Sequence, residues 1–206
     1  MRTKTLLLSA AVGAVGLLAA DAQVYSVNSV GYINLTIPVG FSMVANQLNT
    51  GNNTVGSLLP NVPDGTTIYK YNGVGYDINI FDAGWGNPAM TLNPGEGAFI
   101  RVVGSALAVT LVGEVPQGAA SNQVIPSGFS IRSSTVPQTA NLDAMGFPAS
   151  DGDTVYRYSN SQQGYVTSIY DAGWGGGAPV VAVGESFFVR KTGAAANWNR
   201  NFSVNN

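Results

Sequence analysis

The sequence predicts an all-β fold: two tandem homologous antiparallel units, sandwich or barrel-like, each with one short helix. Three observations predict it. Four motifs recur in order, IPVGFS at Ile37 as IPSGFS at Ile125, DGTTIYKY at Asp64 as DGDTVYRY at Asp151, FDAGWG at Phe81 as YDAGWG at Tyr170, and GEGAFIR at Gly95 as GESFFVR at Gly184, with offsets of 87 to 89 residues. A fixed period of this kind marks a duplication. Within the copies, Tyr69 and Tyr71 alternate with Ile68 and Lys70, and Tyr156 and Tyr158 with Val155 and Arg157; this is the period of two of a strand with unlike faces. Finally, 26 glycines and turn stretches such as YNGVGYD, NPGEG and PSGFS break the chain into short runs, which suits antiparallel sheets better than a parallel α/β sheet.

In chain order, the first element is a leader. MRTKTLLLSAAVGAVGLLAADAQ has a basic head at Arg2 and Lys4, an apolar run from Leu6 to Ala20, and small residues at Ala20 and Ala22. That is signal-peptide grammar, with cleavage expected after residue 22 and a secreted or cell-surface destination. The apolar run falls short of the roughly 20 residues a bilayer span needs, so no membrane span is expected in the mature chain. Residues 23–115 then form the first unit and residues 116–206 the second. Asn53 is expected to cap a helix over TVGSLL before Pro60, and Asn141 one over LDAMGF before Pro148. Phe41, Tyr69 and Phe99 are expected to close the first core, and Phe129, Tyr156 and Phe188 the second.

Composition excludes several chemistries. Without residues 1–22, 7 bases and 10 acids remain, a net charge of −3, and the bases are scattered, with Arg190 and Lys191 the one adjacent pair, so nucleic acid is not an expected partner. Histidine and cysteine are absent, which removes the common general base, the usual nitrogen and sulfur metal ligands, lipid attachment and disulfides. No cofactor, metal or catalytic residue is expected, and the protein reads as a non-enzyme.

The repeated acids and aromatics carry the remaining candidates. Asp82 with Trp85, and Asp171 with Trp174, would form a sugar platform if the indoles were exposed, with the carboxylates bonding to hydroxyls. The plainer reading makes each Asp a turn residue bonding its own following amides, with Trp folded over the core edge. Six of the ten remaining acids and four of the seven bases lie at repeated positions, which favours ion pairs and turn caps over a catalytic pair such as Asp82 with Glu96. DGDT at Asp151 hints at a calcium loop but lacks the further oxygen ligands such a loop needs.

Taken together, VGYINLTIPVGFSMVAN, DGTTIYKYNGVGYD, NPGEGAFI, VGEVPQG and GESFFVR resemble secreted duplicated β-repeat proteins of verrucomicrobial and planctomycete type bacteria. The resemblance covers the mature chain and implies secretion and β structure, without catalytic residues. The resemblance leaves the activity open. Export, duplication, low charge and the missing catalytic residue types make the expected function that of a structural or adhesive protein of the cell surface or matrix, with an extracellular polysaccharide and further copies of itself as partners. A carbohydrate-binding module using Trp85 and Trp174 is the alternative. YSVNS at Tyr25 is echoed by FSVNN at Phe202, two periods later. Val24, Tyr25, Val27, Tyr32 and Ile33 at one end, and Phe202 and Val204 at the other, are thus the candidate edges for head-to-tail filament assembly by strand addition, and the plainer reading has Val24 to Ile37 pair within its own unit.

Overall fold

A computed structural model describes residues 29–204. The expected leader, and Val24, Tyr25 and Val27 of the expected assembly edge, lie outside the described residues. The chain is mostly β. The first half contains β1 (Val30–Ile37), β2 (Gly40–Ala45), the single-turn helix α1 (Val55–Leu58), β3 (Thr67–Tyr71), β4 (Tyr76–Ile80), β5 (Gly97–Val102) and β6 (Leu107–Glu114). A 3-10 turn at Gly118–Ser121 leads to β7 (Gln123–Ile125), β8 (Gly128–Arg132), β9 (Ala140–Asn141), β10 (Thr154–Ser159), β11 (Gly164–Ile169), β12 (Val180–Val181), β13 (Phe187–Lys191) and β14 (Ala196–Trp198).

The two larger sheets have orders β2-β5-β3-β4 and β8-β13-β10-β11, and the ribbons β1-β6, β7-β14 and β9-β12 complete the set. All pairings are antiparallel. None of these sheets closes, so the barrel-like alternative is not what the chain builds. Register agrees between the two larger sheets: Ile68 faces Ile100 and Thr67 faces Arg101, as Val155 faces Val189 and Thr154 faces Arg190. Glycines with positive φ, Gly40 at 93° and Gly128 at 80°, make the matching corners into β2 and β8.

The helix expectation holds in one place only. α1 is capped by Thr54, whose side chain accepts from Ser57 N, while Asn53 Oδ1 accepts from Thr50 N and Asn46 Nδ2. Residues 142–146 form a turn rather than a helix. Asn141 Oδ1 caps it through Ala144 N at 2.7 Å. Gly146 at φ 64° then closes it, with Gly146 N bonded to Asp143 O and Phe147 N to Leu142 O, a glycine stop that leaves room for one turn.

Alternation along the strands sends side chains to different cores. Ile68, Ile100 and Val102 join Ile33, Leu107 and Leu111 of the β1-β6 ribbon in one aliphatic cluster. Val155, Phe187 and Val189 join Trp198 and Ile125 in a second cluster of mixed aliphatic and aromatic side chains. The opposite faces meet in a third cluster of Met43, Phe99, Ile131 and Phe188, flanked by Phe41, Tyr69, Tyr71, Tyr156 and Tyr158. This corrects the expected cores: Phe41, Tyr69 and Phe99 do not close their own half but face its partner, because they occupy the odd positions opposite the aliphatic stripe. Phe129 lies at the margin, 47% exposed, 6.4 Å from the Phe188 ring.

Backbone bonds lace the two halves at matching positions. Ala45 N donates to Gly184 O and Ser133 N to Gly95 O, each at 2.9 Å. Buried Gln47 ties the junction by accepting from Gly184 N and donating to Ser133 Oγ. Gly97 sits at the closest approach, where an added Cβ would lie 2.3 Å from Ser186 Cβ and 2.6 Å from Ile131 Cγ2. Gly97→Ala is accordingly expected to destabilise the protein by about 1–3 kcal/mol in urea titrations, a loss that helix or strand propensity would not produce.

Candidate functional site

The repeated hexapeptides form tight turns closed by the bridges Phe81 to Trp85 and Tyr170 to Trp174. Ala83 and Ala172 adopt left-handed φ values of 53° and 52°. Their amides are held by Asp64 Oδ1 and Asp151 Oδ1, both at 2.8 Å. The turn-holding carboxylates are therefore those of the upstream Asp-Gly motifs, while Asp82 and Asp171 are exposed. Trp85 and Trp174 are only 8% and 9% exposed. Trp85 Nε1 donates to Leu59 O at 2.7 Å and Trp174 Nε1 to Asp143 Oδ1 at 2.8 Å. With each ring folded inward and its N–H bonded, neither indole presents the open face a stacked sugar needs.

Repeated charges pair with each other. Lys70 meets Glu96 at 3.0 Å, and Arg157 grips Glu185 with Nε at 2.7 Å and Nη2 at 3.1 Å. Each glutamate also caps its own turn, accepting from Asn93 N or Ala182 N. Glu96 is thus occupied as a turn and ion-pair residue. Asp153, the acid behind the calcium-loop hint, is fully buried against Lys191 Nζ at 2.5 Å.

The expected assembly residues separate. Tyr32 is 70% exposed, whereas its neighbour Ile33 is 3% exposed and sits in the first aliphatic cluster, as alternation along β1 requires. Phe202 is half-buried and tied down, accepting from Gly118 N at 2.7 Å and donating its own N–H to Ser121 Oγ. Exposed Val204 donates to Gln117 Oε1.

Sequence reasoning passed over a further feature, a cavity of about 430 Å³ where the β3-β4 hairpin of one half meets β8 of the other. Lys70, Tyr71, Glu96, Phe129, Ser130 and Arg132 line it. Burial pushes the Arg132 guanidinium below its ordinary value, with the Glu96 charge opposing that shift. Arg132 Nε and Ser130 Oγ are both buried without a hydrogen-bond partner, an uncommon state for buried polar atoms; the matching Ser42 Oγ is in the same state, so Arg132 Nε alone sets this cavity apart. The signal was present in the repeat: Arg132 stands where the first copy has Val44. Beyond the cavity, a tyrosine cluster spans the two halves, and burial with neighbouring Tyr76 and Tyr158 pushes Tyr165 up to about 12. No protein family, no curated protein and no solved structure matches this chain.

Proposed function

We propose that the protein is a secreted, non-catalytic structural or adhesive component of the cell surface or extracellular matrix, made of two homologous tandem units and associating with further copies of itself. The leader grammar and the likeness to secreted duplicated β-repeat proteins support export. Among the described residues no helix is long and apolar enough to cross a membrane. The matched motifs, sheet orders and registers support the tandem arrangement.

One observation carries the self-association. β1 pairs with β6 on one side and with no other strand among the described residues. Its outward residues Val30 and Tyr32 are 57% and 70% exposed, beside Val112 at 45%. An apolar, open-edged ribbon of this kind is a template for strand addition by a second copy. Joining this edge to a different surface of the next copy gives an open, head-to-tail chain.

Removing β1 would also remove Ile33 and Ile37 from the core, so the test is a substitution on the outer face. Residues 23–206 are expected to show concentration-dependent assembly by light scattering and negative-stain microscopy. Val30→Lys with Tyr32→Lys is expected to abolish assembly with little change in Tm, because both side chains face solvent. A monodisperse monomer at high concentration, or assembly indifferent to the two lysines, would sink the proposal.

A further inference from the structure

The two larger sheets share strand order and register, so the grooves beside their hairpins can be compared position by position. Beside the β10-β11 hairpin the groove is filled. Asn160 Nδ2 donates to Val39 O and Phe41 O, both at 2.9 Å. A Cβ built on Gly40 would find Asn160 Nδ2 at 3.4 Å and Gln163 Nε2 at 3.6 Å. At the matching corner of the other groove, a Cβ on Gly128 would find nothing within 4 Å.

The hairpin loops explain the difference. Six residues separate Tyr158 from Tyr165, but four separate Tyr71 from Tyr76, and Gly73 takes the place of Asn160. The side chains of the short loop do not plug its groove, because Asn72 is bonded to Asp77 and to the amides of Val74 and Gly75 while Val74 is exposed, and what remains is the 430 Å³ cavity. Its wall has gained a charge at the same time, since Arg132 replaces Val44. A plain cavity would be expected to keep the valine, because a buried guanidinium donor without a partner is costly.

The free valences indicate the missing partner. Lys70 Nζ is already engaged by Thr91 O, Thr91 Oγ1 and Glu96 Oε2, so Arg132 is the cation left to bind. Lys70, Arg132 and Glu96 together carry one net positive charge, which matches a monoanion. A guanidinium fork fits a planar carboxylate through two parallel bonds. Both bonds accepted by Glu96 fall on Oε2, which leaves Oε1 for a ligand hydroxyl. Tyr71 and Phe129 add ring surface, and the volume falls within the range of small-molecule sites.

We propose that this cavity binds a hydroxylated monocarboxylate of sugar-acid size, a uronic acid, through Arg132. The site is independent of self-association by β1 and would give the protein an acidic-polysaccharide ligand without using either tryptophan.

Titration calorimetry of residues 23–206 with glucuronate, glucose, acetate and sulfate tests it. Glucuronate is expected to bind at least roughly tenfold more tightly than any of the other three, the factor that one charge-assisted bond supplies. Arg132→Val is expected to abolish binding and to raise Tm, because it removes a buried donor that the unliganded fold leaves unpaired. A second variant, with Asn72–Gly75 replaced by the longer loop sequence Ser159–Gly164, is expected to abolish binding by plugging the groove. Glucose or sulfate binding as tightly as glucuronate, or glucuronate binding unchanged in either variant, would overturn the proposal. An oligouronide that binds more tightly than the monomer identifies a polysaccharide as the source of the ligand, and equal binding identifies the free acid.

Discussion

Asp153→Thr, with Lys191 left in place, is expected to destabilise the protein by about 3–5 kcal/mol, the loss incurred when one member of a buried ion pair is removed. Both side chains are essentially inaccessible, at 0% for Asp153 and 1% for Lys191. Lys191 Nζ also donates to Pro148 O at 2.7 Å and Ser150 Oγ at 3.3 Å, while Asp153 accepts from Thr192 N and Ser150 N. The cluster therefore has its polar atoms satisfied, and an ammonium stranded in it would have no water to turn to. The first copy shows an uncharged alternative, in which the buried Thr66 hydroxyl has no hydrogen-bond partner. Thr66 and Val102 occupy the matching positions, and Pro63, which has no N–H to satisfy, matches Ser150. Asp153→Thr combined with Lys191→Val is thus expected to return to within about 2 kcal/mol of the parent, since it leaves no charge buried, and the remaining deficit reflects Ser150 N and Thr192 N, which lose their acceptor. Urea titration of the two single variants and the double variant closes the cycle. Additive losses, with no recovery in the double variant, would show that the pair is not one unit.

The same pair sets a pH dependence of known sign. Burial alone would raise the Asp153 carboxyl, but the bonds from Lys191, Thr192 N and Ser150 N and the ammonium charge outweigh it and hold the group below its ordinary 3.8. A carboxyl lowered in the folded state binds fewer protons there than in the unfolded chain. Its stabilisation is complete above the ordinary carboxylate range and is lost as pH falls through the lowered value. The double variant is accordingly expected to show a flatter fall in stability below pH 3.8 than the parent does.

All-β character was legible because the strand period and the turn residues are local signals, and Tyr69 beside Ile68 already marks two unlike faces. What each face would meet was not legible. An aromatic stripe opposite an aliphatic one looks like core in either direction, and only the docking of the second sheet sends Phe99 across to Tyr158 and Phe188. The tryptophans illustrate a similar limit: the Gly-Trp-Gly turn is visible in sequence, but the acceptors of their indole N–H groups, Leu59 O and Asp143 Oδ1, lie 26 and 31 residues upstream. Arg132 has no counterpart charge in the other half, and the cavity depends on a charge and a loop length that the two halves do not share, so a repeat of charged positions does not reveal it.

Phe99→Ala is expected to cost about 3–5 kcal/mol, the usual loss for truncating a buried phenylalanine, and to loosen both halves at once. Its ring is 7% exposed. It lies 6.4 Å from Phe41 and 6.3 Å from Tyr76 in its own half, and 5.3 Å from Tyr158, 6.4 Å from Tyr165 and 6.2 Å from Phe188 in the other. Most of these contacts are edge-on or tilted, the arrangement that adds attraction beyond simple burial. The two outer clusters share no buried residue, so the aromatic cluster is the main apolar contact between the halves, beside the hydrogen bonds made by Gln47, Asn160 and the backbone of Ala45 and Ser133. If the coupling between the halves is strong, hydrogen exchange in the variant accelerates in β10 and β13 as much as in β3 and β5, and urea unfolding remains a single transition. Faster exchange confined to β3 and β5, with β10 and β13 still protected to the parent's level, would instead show two independently stable bodies.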